Sequence, residues 1–258
     1  MSGLLRHPWG DLLPVLGLAL LLWLLSLRLR DASIMDIAWG PGFLVLAAWH
    51  AAGAGAHLSL RGGLVLALCA VWSLRLAWHI GARHGGREDA RYRRWREQSG
   101  AAWWWKSLLK VFLLQGAVLW LVARPLAEAI RRPGEATGWL TAAGVLLALG
   151  GLVYESVADR QLQRFRSRPD SRGGICREGL WRFSRHPNYF GEALVWWGIF
   201  LTAAATGAWW TLVSPLLMTW LLRFGSGVPL LESTMGRRAG WADYARTTNA
   251  FFPGRPRR

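Results

Sequence analysis

The chain has 258 residues, 53% of them hydrophobic, yet 31 Lys and Arg against 15 Asp and Glu leave a net charge of +16. One soluble globule accommodates those two facts badly; a multi-pass membrane protein with its charge confined to loops accommodates both. Nucleic acid is not an expected partner, because a binder needs one basic face on a soluble fold and here each Arg cluster lies between apolar runs.

Apolar runs of spanning or near-spanning length fall at 12–29, 34–54, 62–80, 107–122, 139–157, 189–207 and 208–224, the last two sharing a short turn at Gly207. A span needs about 20 mostly apolar residues. The expected architecture is therefore an all-α integral membrane protein of about seven transmembrane helices. Residues 1–258 read as one multi-pass domain, with 225–258 a cytoplasmic C-terminal segment. Basic residues favour the cytoplasmic side. With the N-terminus outside and the C-terminus cytoplasmic, 23 of the 31 fall in cytoplasmic segments and 4 in outer ones; Arg75, Lys110, Arg124 and Arg223 fall inside or at the ends of spans. The first span lacks a small-residue cleavage pattern and is expected to stay in place. Cys69 and Cys176 lie at different depths, so neither a disulfide nor a metal site is indicated.

Folding these spans antiparallel sorts the intramembrane ionisables by depth. Asp36 lies about one turn inside the second span, and Arg75 and His79 form an i,i+4 pair near the end of the third. Glu155 and Asp159 close the fifth span, with Gln163 and Arg166 continuing the stripe. Asn188 and Glu192 open the sixth, and Glu232 follows the seventh. All are expected in the cytoplasmic third, converging on a watery chamber beside a Leu-, Ala- and Trp-rich sleeve. Ionisable residues within spans are costly and usually functional. Snorkelling to headgroups accounts for Arg223 and Lys110, but poorly for short acidic side chains.

Two cytoplasmic segments complete the pattern. Residues 81–106 carry seven cations with Tyr92, Trp95 and Trp103-Trp104-Trp105, the composition of an interfacial helix. Residues 160–185 carry eight Arg with Pro169, Gly173-Gly174 and Gly179, and read as a flexible basic loop. Arg forks such as Arg166, Arg172 and Arg185 suit a pyrophosphate or a ribose 2′-phosphate. Ser184 is placed to cap the sixth span and Pro187 suits its first turn. Asn188 offers a donor and an acceptor to a carboxamide, with Glu192 one turn deeper. His186 is either structural or part of the same site. Soluble dinucleotide signatures are missing, with no Gly-x-Gly-x-x-Gly and no phosphate loop.

The motifs Gly179-Leu180-Trp181, Arg185-His186-Pro187-Asn188-Tyr189-Phe190-Gly191-Glu192 and Trp196-Trp197-Gly198 resemble a bacterial membrane family related to steroid 5-alpha-reductases. So do Glu155-Ser156-Val157-Ala158-Asp159, Ser214-Pro215-Leu216, Gly227-Val228-Pro229-Leu230-Leu231-Glu232 with Tyr244, and the Phe251-Phe252-Pro253 tail. Asp36-Ile37-Ala38-Trp39-Gly40 and Val111-Phe112-Leu113-Leu114-Gln115 extend the likeness toward the N-terminus. What the resemblance implies is a helical reductase of the bacterial inner membrane that uses NADPH on a carbon–carbon double bond conjugated to a carbonyl. Asn188, Glu192, Asp159 and Arg166 match its cofactor positions; Glu155, Arg172, Arg185, His186, Tyr189 and Glu232 complete the expected cofactor set. The chain departs from the steroid enzymes in lacking their early Gln-Glu pair, in carrying Trp72 where they use a Tyr, and in having Gly225-Ser226-Gly227 in place of a His-rich stretch. The expected substrate is thus an amphiphile: a steroid, a polyprenyl or fatty-acyl chain, or another enone-like lipid.

The expected catalytic set is Asp36, Arg75 and His79, in which Arg75 or His79 stabilises a developing carbonyl oxyanion and Asp36 orients either or donates a proton. Two alternatives stay open. Arg185-His186-Pro187 with Tyr189, and Leu231-Glu232 with Tyr244, also resemble isoprenylcysteine and phospholipid methyltransferases, in which the cofactor is S-adenosylmethionine. A non-enzymatic membrane lipid-binding protein of the same fold is the third class.

Overall fold

The computed structural model describes residues 9–132, 138–171 and 173–257. Among them no strand occurs, and five helices are long and apolar enough to cross a membrane: Leu12–Leu29, Ile34–Ala54, Leu60–His84, Ala90–Val122 and Trp139–Arg166. The chain is therefore an all-helical protein of membrane type. It divides into two compact units, one of residues 1–141 and 202–209, the other of 142–201 and 210–258.

In the first unit, α1 (Leu12–Leu29) turns through Arg30 in the left-handed region (φ 53°) into α2 (Ile34–Ala54), and α3 (Leu60–His84) returns alongside it. α2 and α3 approach closely at Gly40, where a Cβ would lie 2.7 Å from the Ser73 carbonyl oxygen. α3 runs four residues past the expected 80, since Gly81-Ala82-Arg83-His84 continues the pattern until Gly85 adopts φ 60° and stops it. The segment expected to be interfacial is continuous with the next span. α4 (Ala90–Ser99), a tight turn at Gly100–Ala102, α5 (Trp103–Ser107), a π-turn over Leu108–Leu113 and α6 (Leu114–Val122) form one 33-residue run. Asp89 caps α4 by accepting from the Arg91 amide at 2.8 Å. Tyr92, Trp103 and Phe112 pack with Met35 and Ala19 in the core of this unit.

Residues after 122 were expected as an outer loop. Instead Arg124–Arg131 forms α7, with Leu126, Ala127, Ala129 and Ile130 buried. Gly62 on α3 makes room for it, as a Cβ there would come within 3.3 Å of the Ile130 backbone. Arg61 binds the turn after α7, its Nη2 donating to the Arg132 carbonyl at 2.7 Å.

The second unit is built on α8 (Trp139–Arg166) and α9 (Pro187–Ala204). α8 outruns the expected 157 because Ala158 to Arg166 is rich in helix formers and ends in cations that suit the negative helix end. The two helices touch backbone to backbone. A Cβ on Gly191 would sit 2.6 Å from the Glu155 nitrogen, one on Gly151 2.6 Å from the Gly191 carbonyl oxygen, and one on Gly198 2.5 Å from the Ala148 nitrogen. Small residues of this kind let membrane helices approach.

The stretch after α8 is more ordered than a flexible basic loop. A short turn at Gly179–Arg182 buries Trp181, whose Nε1 donates to the Ala158 carbonyl at 3.0 Å. α10 (Val213–Phe224) is shorter than the expected 208–224, because Trp209–Leu212 forms a tight turn first. The expected C-terminal segment holds α11 (Val228–Met235) and α12 (Trp241–Thr247), and Tyr244 Oη donates to the Trp181 carbonyl at 2.6 Å.

Candidate functional site

Two polar clusters contain most of the expected residues. In the second unit, the close approach at Gly191 puts Glu155 and Asp159 of α8 against Asn188 and Glu192 of α9. Each pair is four apart and so shares a helix face. Glu155, Asp159 and Glu192 are buried, at 2%, 6% and 7% exposure. Asn188 Nδ2 donates to Asp159 Oδ1 at 3.2 Å, and its buried Oδ1 has no partner. An ionised carboxylate only accepts, so the contact fixes which end of the amide faces Asp159 and leaves an acceptor free. Arg166 ends the same helix, exposed. Arg172 lies outside the described residues.

Arg185, His186 and Glu232 extend this first cluster at the start of α9. Arg185 donates from Nε to Glu232 Oε1 at 2.8 Å and from Nη2 to Oε2 at 3.1 Å, a bidentate fork. Its Nη1 donates to the carbonyls of Ala245 and Thr248, both at 2.7 Å, which closes the C-terminal end of α12. Nearly all the N–H donors of Arg185, expected to help clamp a phosphate, are therefore engaged within the protein. Ser184 was expected to cap this helix; its Oγ instead accepts from the His186 amide at 3.1 Å, a turn contact just before Pro187, and Tyr189 stacks on the His186 ring at 5.6 Å. His186 Nε2 donates to Glu232 Oε1 at 3.0 Å.

Burial works to raise the Glu232 carboxyl, but hydrogen bonds from His186 and Arg185 and the Arg185 charge outweigh it and hold the group at about 2, against an ordinary 4.5. Burial also pulls His186 down, opposed only in part by Glu232, so the ring is neutral at pH 7. Both shifts act in one direction. A carboxyl depressed in the folded state stabilises it above the unfolded value and loses that contribution as pH falls toward the folded value. A depressed His likewise penalises the folded state once acid protonates it in the unfolded chain. Thermal unfolding in detergent should therefore show stability lost on acidification from about pH 6 downward, most steeply below about 4.5, and Glu232→Gln should flatten the lower part of that profile.

The first unit carries the second cluster. Asp36 Oδ1 accepts from Tyr92 Oη at 2.6 Å, Oδ2 from Arg91 Nη2 at 2.9 Å, and Gln115 Nε2 donates to the Tyr92 oxygen at 3.1 Å. His79, one turn before Arg83, shares a contact with its Nη1 at 3.2 Å, and Arg75 lies on the same α3 face. Tyr92, Arg91 and Gln115 were not among the expected site residues. The signal was present, since Tyr92 is the one aromatic hydroxyl in a run of Arg, but its acidic partner is 56 positions away in sequence.

A family model described as a protein of unknown function (DUF1295) matches residues 22–248, which includes both clusters. The chain belongs to the DUF1295 family. No curated protein and no solved structure matches it. Within this DUF1295 chain the matched region begins inside α1 and ends just after α12, so it takes in every helix that contributes a polar side chain to either cluster.

Proposed function

We propose that this protein is a membrane-embedded, NADPH-dependent reductase of a carbon–carbon double bond conjugated to a carbonyl in a lipid-like substrate. The observation that carries the reading is the buried, unpartnered Asn188 Oδ1 beside Asp159 and Glu192. A nicotinamide carboxamide offers the N–H donors that this acceptor lacks, and ribose hydroxyls offer donors to carboxylates. The same acceptors repel phosphates, which suit the exposed guanidiniums toward the end of α8, Arg160, Arg164 and Arg166. Arg185, His186 and Glu232 then serve to hold the start of α9 and so to aim Asn188, with Tyr189 stacked beside them. α9 and α10 complete the seven crossings, with the N-terminus outside and the C-terminus in the cytoplasm of a bacterial inner membrane.

NADPH held by Asn188, Asp159 and Glu192 would supply hydride to the β-carbon of the conjugated system. Charge then develops on the substrate carbonyl oxygen, which needs a donor or a cation, and the α-carbon needs a proton. Within the first unit, Tyr92 is the group we assign as a proton donor, its oxygen held by Asp36 and Gln115, with Arg75 and His79 on α3 as the other residues we assign to that unit's chemistry. Asp36 is one-quarter exposed, so water reaches the pair and can return a proton to the Tyr92 oxygen.

The test is incubation of the purified protein with NADPH and membrane lipid extract, followed by mass spectrometry. One lipid should gain 2 mass units as NADPH is consumed, about two for the two added hydrogens. Tyr92→Phe and Asp36→Asn should each slow that conversion by about a hundredfold while NADPH still binds. Full turnover in both variants would remove the assignment.

One observation favours S-adenosylmethionine instead. Three buried carboxylates also suit the positive sulfonium and ammonium groups of that cofactor, which would make the protein a methyltransferase. Melting in detergent with NADPH and with S-adenosylhomocysteine separates the two, since a ligand stabilises only the state it binds.

A further inference from the structure

A third polar cluster lies at the other end of α2. His50 is fourteen residues beyond Asp36, about 21 Å along the axis. There Asp11, wholly buried just before α1, accepts from His50 Nε2 at 3.1 Å, from Trp120 Nε1 at 3.0 Å and from Arg124 Nη2. Arg124 also lies over the Trp120 ring at 4.2 Å, and Trp9 stacks on that same ring at 5.6 Å. These contacts join four elements: the chain before α1, α2, α6 and α7. Although burial opposes it, the hydrogen bonds and the Arg124 charge hold the Asp11 carboxyl well below the usual carboxylate range, so it stays ionised.

Because an ionised carboxylate only accepts, His50 must donate through Nε2–H, and in the neutral ring Nδ1 then carries no proton. That Nδ1 is buried and has no hydrogen-bond partner. Protonating His50 places an N–H there with nothing to accept it, at the cost of an unsatisfied buried donor. It also adds a positive charge where Arg124 already balances Asp11. The other charged group acting on the ring is Arg131 from α7; Glu128, which acts on Arg124, is already paired with Arg132. Neither charge nor hydrogen bonding at this end accommodates an imidazolium.

We propose that Asp11, His50 and Arg124 form an acid-released latch, in which ionisation of His50 unseats α7 and the chain before α1 and opens this end of the first unit. Hydroxyl-radical footprinting of the whole protein at about pH 7.5 and about pH 5 reads the opening directly. Leu126 and Ile130, buried at neutral pH, should gain about threefold in modification at the lower pH, while Phe112 in the same unit should not change. His50→Gln, which keeps a donor for Asp11 but cannot ionise, should hold the neutral-pH pattern at both values. Arg131→Gln, which removes a neighbouring cation, should move the wild-type midpoint upward in pH. A wild type with no rise at Leu126 and Ile130, an equal rise in His50→Gln, or a midpoint indifferent to Arg131 would overturn the latch.

Discussion

Replacing Glu232 with alanine should destabilise the second unit by about 3 kcal/mol, the low end of the cost of stripping one partner from a buried pair. The loss exceeds that of a surface ion pair because Glu232 accepts from three N–H groups on two residues at once. Without it, Arg185 Nε and Nη2 and His186 Nε2 are left inside the protein with no acceptor, and Arg185 is only 12% exposed. Arg185 would still bind the Ala245 and Thr248 carbonyls, so α12 should stay attached while the start of α9 loosens. The expected reading is a melting temperature lower by about 6–12 °C in detergent, with hydrogen exchange rising first around 184–190. Glu232→Gln, which keeps one acceptor, should recover part of the loss. Equal stability of wild type and Glu232→Ala would mean that the cluster contributes nothing to holding α9.

The second large effect is expected at Gly191. Its α-carbon faces α8 with no room for a side chain: an added Cβ would lie 2.6 Å from the Glu155 nitrogen and 2.8 Å from the Gly151 carbonyl oxygen. Both are helix backbone and cannot swing away as a side-chain tip can. Gly191→Ala should therefore force α8 and α9 apart and cost about 3 kcal/mol, the upper part of the overpacking range. It should also abolish cofactor binding, because Glu155 and Asp159 would move relative to Asn188 and Glu192. Gly150 provides an internal control one residue from Gly151. A Cβ there meets nothing within 4 Å, so Gly150→Ala should be neutral or stabilise by about 0.5–1 kcal/mol through helix propensity. The contrast between the substitutions at Gly191 and Gly150, read by thermal unfolding, separates helix contact from a general intolerance of change. If Gly191→Ala melts with wild type, α8 and α9 do not touch as described.

What was legible in the sequence follows from period and length. α1 and α2 fall where apolar runs of 18 and 21 residues place them. The polar face of α8 with α9 was also readable, because Glu155/Asp159 and Asn188/Glu192 repeat at helical spacing. α7 was not legible: eight residues with three charges carry no span signal, and only burial between its neighbours makes it a helix of the core. The partners of Asp36 were hidden for a different reason. Tyr92 and Arg91 sit in a run of cations that reads as an interfacial helix, and only tertiary folding brings them to α2. Arg185 misled in the opposite sense, since a guanidinium beside a helix start suggests a phosphate, whereas its donors close α12 and bind Glu232. Asp11 and His50 drew no reading from the sequence, and Arg124 only a place at the end of a span. Their meaning arises from a meeting across positions 11 to 124 that no local pattern encodes.

The most direct measurement is a comparison of ligand-dependent melting in detergent, since a ligand stabilises only the state it binds. At saturating concentration NADPH should raise the melting temperature of the wild type by about 5 °C. S-Adenosylhomocysteine should leave it unchanged, and Asn188→Leu, which removes the free acceptor and the contact to Asp159, should lose the NADPH shift. Stabilisation by S-adenosylhomocysteine in place of NADPH, or an NADPH shift that survives Asn188→Leu, would contradict the account.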